Sequence, residues 1–146
     1  MVTNIDNDSL TLNQQFVFKQ TLNNSGEYAF LNYHYFTGLD KNPFTTTNRF
    51  SDINLGYPRK FTVTETVELP ANFTVDALPK NITMTTPDTS LVLKRYFSVE
   101  GTQLTCQMKL EILKTYYDKD DYPYLKEFYK KLYGYLDEQI VLKQKK

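Results

Sequence analysis

The polar and apolar positions of this chain alternate more often than they recur at helical spacing. Phe61, Val63, Val67 and Leu69 share one face of a run opened by Pro58, with Thr62, Thr64, Thr66 and Glu68 on the other. Period two of this kind marks a strand with one buried face. Pro70 cannot donate to a ladder, so the strand ends or turns there, and Asn72–Leu78 forms a shorter strand stopped by Pro79. The Pro58–Pro79 stretch therefore reads as strand, corner, strand.

Similar alternation predicts further strands on either side. Leu10, Leu12, Phe16, Phe18 and Leu22 define a strand over residues 10–22, and Asn23-Asn24-Ser25-Gly26 is a turn. A second strand from Glu27 to Phe36 completes a hairpin in which Phe18 faces Leu31 and Phe16 faces Tyr33. Ala29, Leu31, Tyr33 and Tyr35 then point inward and His34 outward. Residues 37–57 read as a long irregular connection, with Phe44, Phe50, Ile53 and Leu55 available to anchor it. Ile82–Thr86 forms a further short strand. Ser90–Leu113 reads as a hairpin around Glu100-Gly101, pairing Phe97 with Leu104, Arg95 with Cys106, Leu93 with Met108 and Leu91 with Leu110.

Helical spacing appears once. Leu125, Phe128, Tyr129, Leu132 and Leu136 make one apolar stripe behind Pro123, predicting a helix at about 122–137. Ile140-Val141-Leu142 reads as a final edge strand followed by a frayed Lys-rich end. About eight strands and one late helix predict a mainly β fold: an antiparallel β-sandwich with one C-terminal α-helix. Residues 1–9 are a polar lead-in or tail, and 10–146 form a single domain.

Composition narrows the chemistry. The 146 residues suit one domain, and 17 basic against 17 acidic residues give no electrostatic reason to expect nucleic acid. No apolar run approaches the ~20 residues of a membrane span. One Cys and one His, Cys106 and His34, fall on the inward face of one strand and the outward face of another, too few and too separated for a Cys–His nucleophile or a zinc site. Asp118, Asp120 and Asp121 resemble the start of a calcium loop, but no glycine or closing Glu follows at the right place. No cofactor is expected. Asn72-Phe73-Thr74 and Asn81-Ile82-Thr83 match glycosylation acceptors, which matter only in a eukaryotic secreted protein.

Two charges interrupt apolar strand faces: Glu65 and Arg95. A buried unpaired charge is costly, so the two are expected to form a structural ion pair, with Arg49 as a possible third member. The alternative is a sheet edge open to water at those points. The tyrosines crowded between 116 and 135 read mainly as helix-to-sheet core. Phe44, Tyr116 and Tyr117 are the candidate contact surface.

The order Asn42-Pro43-Phe44, Arg49, Ile53, Tyr57-Pro58, Leu69-Pro70, Leu78-Pro79, Tyr124-Leu125, Phe128-Tyr129 and Ile140-Val141-Leu142-Lys143 resembles a known family over residues 28–143. The family is the C-terminal domain of unknown function that follows the transglutaminase-like core in multidomain, Bacteroidetes-type bacterial proteins. The resemblance implies a non-catalytic accessory domain of a larger, exported protein, with the preceding transglutaminase-like domain as its partner and the periplasm or cell envelope as its place. The catalytic Cys, His and Asp belong to that preceding core, so none is carried onto this chain. The other reading is a glycan- or peptide-binding module using exposed tyrosines or the 37–57 loop.

Overall fold

The structure, a computed structural model, describes residues 2–3, 11–34 and 37–146. Leu10, Tyr35, Phe36 and most of the 1–9 lead-in lie outside the described residues. The described strands are β1 (Val2–Thr3), β2 (Asn13–Gln14), β3 (Asn23–Ser25), β4 (Tyr28–Leu31), β5 (Ile53–Asn54), β6 (Arg59–Glu68), β7 (Phe73–Ala77), β8 (Ile82–Thr85), β9 (Leu91–Glu100), β10 (Gln103–Ile112), β11 (Tyr116–Tyr117) and β12 (Ile140–Gln144). Among the described residues one α-helix, α1 (Tyr122–Leu136), precedes β12.

Eight of these strands form two four-stranded antiparallel sheets. The first sheet has the order β6-β10-β9-β8 and the second β3-β4-β12-β7. Two small ladders, β1-β2 and β11-β5, complete the pairing among the described residues. The corner at Leu69-Pro70 carries the chain from one sheet to the other, since β6 and β7 belong to different sheets. The Phe73 amide closes the corner on the Pro70 carbonyl at 2.9 Å.

One face of the first sheet is covered twice. At the turn end of the β9-β10 hairpin, Phe97, Leu104 and Cys106 pack with Ala29, Leu31, Ile140 and Leu142 of the second sheet and with Tyr33 just past β4. Toward the other end, Leu91, Leu93, Met108, Leu110 and Ile112 pack with Leu125, Phe128, Leu132 and Leu136 of α1. The whole predicted stripe of α1 is buried, with Tyr122 added at its start. The opposite face of the first sheet carries Thr62, Thr64, Thr66, Thr83, Tyr96 and Gln107 and is exposed.

Four expectations need correction. The β9-β10 hairpin turns at Gly101-Thr102, so Phe97 lies opposite Cys106, Arg95 opposite Met108 and Leu93 opposite Leu110. Gly101 has φ +61°, and it stands first in the two-residue loop, where a type II′ turn needs positive φ. The shift is two residues, so every side chain keeps its predicted face. Of the 10–22 strand only β2 forms among the described residues, and β3 falls in the expected Asn23–Gly26 turn. The turn of its hairpin lies at Gly26-Glu27, pairing Ser25 with Tyr28 and Asn24 with Ala29. The ladder stops at Asn23, so Phe16 and Phe18 face neither Tyr33 nor Leu31 and stay largely exposed.

The last strand, β12, is not an edge. It lies between β4 and β7, which is why Ile140 and Leu142 have no exposed surface. Nor is its end free: the Gln144 and Lys145 amides donate to the Glu27 and Asn72 carbonyls, both at 2.8 Å. Finally, the 37–57 connection contains β5, which pairs with β11. Phe44 and Ile53 are buried, while Phe50 is 89% exposed and anchors nothing.

Candidate functional site

Arg95 sits where the two covers of the first sheet meet. It lies on β9 between Leu93, under α1, and Phe97, under the second sheet. Its guanidinium is 1% exposed. Nη1 donates to the Tyr33 hydroxyl at 2.7 Å and the Tyr135 carbonyl at 2.8 Å; Nη2 donates to the Lys80 carbonyl at 2.8 Å and Glu138 Oε2 at 2.6 Å. The Tyr33 hydroxyl itself donates to the Tyr135 carbonyl at 2.6 Å. The rings of Tyr33, Phe97 and Tyr135 lie between 5.2 and 5.8 Å from the guanidinium carbon. A cation set on the last carbonyls of a helix also opposes the negative end of its dipole. One side chain thus binds the first sheet, the second sheet and the end of α1.

The carboxylate on Arg95 is therefore Glu138, just past the helix, and not the expected Glu65. Sequence spacing hid this partner, because Glu138 comes to Arg95 only after α1 has folded back over the sheet. Glu65 lies opposite Cys106 on β6, half-buried and facing inward. Arg49 is elsewhere, donating from Nε to the Ser51 carbonyl at 3.2 Å. Burial pushes the Cys106 thiol up to about 12; the Glu65 carboxylate adds to the rise and Arg95 opposes it. His34 is half-buried, its ring edge-on to Tyr33 at 6.1 Å.

A second polar cluster was not anticipated. In the loop between β8 and β9, Asp88 Oδ1 accepts from Ser90 Oγ at 2.6 Å, Thr86 Oγ1 at 2.8 Å and the Ser90 amide at 3.2 Å. Lys114 Nζ lies 3.7 Å from Oδ2 of the same carboxylate. Ser90 Oγ is 2.8 Å from the Tyr117 hydroxyl, which donates to the Lys114 carbonyl at 3.0 Å. Burial alone would raise the Asp88 carboxyl, but the hydroxyl and amide donors and the Lys114 charge outweigh it and hold it at about 2. Such a carboxylate is a poor base, and Ser90 is 6% exposed, so the cluster works as a turn lock. Asp-Thr-Ser between two strand runs was the available sequence signal. A groove of about 210 Å³ beside it includes Thr86, Pro87, Tyr124 and Phe128 in its wall, and the Thr86 and Tyr124 hydroxyls are already turned to Asp88.

The candidate contact residues separate. Phe44 is 4% exposed, 4.6 Å between ring centres from Tyr129, and Tyr117 is 0% exposed; both are core, because the β5-β11 ladder folds the long connection down onto α1. Tyr116 remains on the surface at 58%, donating to Asp52 Oδ2 at 2.5 Å. Phe50 and Tyr57 lie exposed in the same connection. The acidic run is a cap: Asp118 Oδ1 accepts from the Asp120 amide at 3.1 Å, and Asp121 Oδ2 from the Asp118 amide at 3.2 Å. Asn81 likewise uses its side chain internally, accepting from the Phe97 amide at 2.8 Å. Among the described residues, no helix is long and apolar enough to cross a membrane.

Two antiparallel sheets covered at one end by a late helix define a mainly β domain. The chain belongs to DUF3858, a domain of unknown function with solved structure, which matches residues 27–142. No curated protein matches it. Its fold is similar to the crystal structure of a "putative protease" from Parabacteroides distasonis ATCC 8503, with TM-score 0.66 and 13% identity. That similarity covers 80% of this chain and 23% of the other, so the chain spans under a quarter of that protein's length.

Proposed function

We propose that this chain is a non-catalytic accessory domain of a larger bacterial protein, acting by packing on a preceding transglutaminase-like domain in the cell envelope. The observation that carries the reading is the recurrence of this fold as 23% of a much longer chain. The internal chemistry is consistent with it. The Cys106 thiol is buried and held protonated to about 12, and the Ser90 hydroxyl is committed to a carboxylate held at about 2. The surface offered to the neighbour is the aromatic margin of Phe50, Tyr57 and Tyr116, exposed by 89%, 70% and 58%.

The test is a titration of the 146-residue chain against the separately purified preceding domain. Saturable binding that Phe50→Ala and Tyr116→Ala weaken supports the proposal. Binding to a glycan or peptide panel, with none to that domain, replaces it by a ligand-binding module. Turnover of a transglutaminase or peptidase substrate by the chain alone overturns the non-catalytic reading.

A further inference from the structure

The four outer edges of the two large sheets are not alike. The edges β3, β7 and β8 have three, five and four residues. Prolines flank two of them, Pro70 and Pro79 around β7 and Pro79 and Pro87 around β8. Short strands and prolines are the usual ways of making an edge unreceptive. β6 has neither. It runs for ten residues, its one pairing partner among the described strands is β10, and its interior is free of Pro and Gly.

We infer that the outer edge of β6 pairs antiparallel with β6 of a second copy of this chain, about a two-fold axis at Thr64. The strand's own sequence picks that register. Antiparallel neighbours directly opposite one another share a face, so residue numbers across the axis must sum to an even value. A two-fold at Thr64 sets Lys60 against Glu68 twice, Thr62 against Thr66 twice and Thr64 against Thr64 on the exposed face. On the inner face it sets Phe61 against Val67 and Val63 against Glu65. Opposite charges and threonine pairs are favourable cross-strand neighbours. Centring on Val63 loses both Lys–Glu pairs, and centring on Glu65 opposes two carboxylates directly. Inward-facing Glu65 therefore acts as a register selector, holding the two copies where the carboxylates are only diagonal.

The cover of the inner face fits the same axis. Phe61 packs with the helix-covered cluster and Val67 with the sheet-covered one. The two-fold sets the helix end of one copy beside the sheet end of the other, so the inner layers alternate across the seam. Lys60 and Glu68 are both on the exposed face, with Lys60 now 3.6 Å from Glu111 and Glu68 accepting from the Thr102 hydroxyl. Lys109, 2.7 Å from Glu111, keeps that carboxylate partnered if Lys60 turns across the seam.

Sedimentation of the 146-residue chain over a wide concentration range is expected to show a monomer–dimer equilibrium. Lys60→Glu and Glu68→Lys should each weaken it about tenfold, because each exchanges two attractive pairs for two repulsive ones. The double variant carrying both should return to near the parent value, an outcome that loss of folding cannot mimic. Thr64→Cys should cross-link to itself under mild oxidation, since directly opposed Cα atoms about 4.5–5.5 Å apart suit a disulfide. Thr62→Cys should cross-link only when mixed with Thr66→Cys. A chain that stays monomeric throughout overturns the inference. So does a dimer indifferent to the charge exchanges, or Thr64→Cys cross-linking no faster than Thr83→Cys on the same exposed face.

Discussion

The two covers of the first sheet differ in kind. Under α1 the face is aliphatic and aromatic, and its hydroxyls are gathered at the rim around Asp88. Under the second sheet the same face carries a thiol, a half-buried carboxylate and, at the seam, a buried guanidinium. A helix brings its own satisfied backbone to an apolar surface, so only its end has orphan carbonyls to place. That end falls at the seam, and Arg95 is there to bind it. The polar half of the core is polar because the helix stops over it.

The sharpest way to break this contrast is Arg95→Ala. It removes hydrogen bonds to two carbonyls, a hydroxyl and a carboxylate together, and opens a cavity. Urea denaturation should show a loss of about 3–5 kcal/mol. Arg95→Met refills the volume, and its cost should be about half as large. The Tyr33 hydroxyl keeps its 2.6 Å bond to the Tyr135 carbonyl, and Glu138, 43% exposed, can turn to water. Equal costs for Met and Ala would show that the charge, and not the filled seam, holds the covers together.

The helix half is tested through the long connection that seals it. Phe44→Ala should cost about 3–4 kcal/mol, by lost burial against Tyr122 and Tyr129 and the cavity left behind. Phe50→Ala, six residues on and 89% exposed, should change stability by less than about 0.5 kcal/mol. If the two substitutions cost the same, the connection does not seal the core through Phe44.

Much of this contrast was legible as pattern and little of it as partnership. Period two in β6, β9 and β10 and period 3.6 in α1 report which side of an element is buried, and those faces were read correctly. Periodicity carries no information about what lies across the gap. Hence Glu65, on another strand of the same sheet, is the partner the pattern suggests for Arg95, while the carboxylate that meets it is on the chain leaving the helix. The central place of β12 was hidden for the same reason: five residues at the end of a chain look the same at an edge or between two strands. Tyr117 and Phe44 looked like surface candidates because loops are usually exposed. A two-residue ladder, β5-β11, was enough to fold them inward, and no periodic signal exists at that length.

A smaller effect distinguishes the rim cluster from the seam. The Asp88 carboxyl is held at about 2 when folded, below its ordinary value near 4. A depressed folded value contributes stability above the unfolded value and loses it as pH falls toward the folded one. Unfolding free energy should therefore decline between about pH 4 and pH 2, and Asp88→Asn should flatten that decline while costing about 1–2 kcal/mol at pH 7. An unchanged acid profile in the variant would assign the decline to other carboxylates.

The last contrast is read in native buffer, without denaturant. Burial holds the Cys106 thiol protonated to about 12, so at pH 8 a disulfide reagent has almost no thiolate to meet in the folded chain. Labelling should then proceed only through opening of the sheet-covered half, at a rate that tracks the population of the open state. Arg95→Ala should accelerate it roughly a hundredfold or more, following its stability loss at about 1.4 kcal/mol per factor of ten. Phe44→Ala separates two possibilities. If the halves open as one unit, labelling rises in step with its stability loss. If Arg95 closes the sheet-covered half independently of the helix, Phe44→Ala unfolds the molecule more easily in urea yet leaves labelling in native buffer nearly unchanged. The seam position of Arg95, tied to both covers at once, favours the single unit, and parallel rises in the two variants are the expected result.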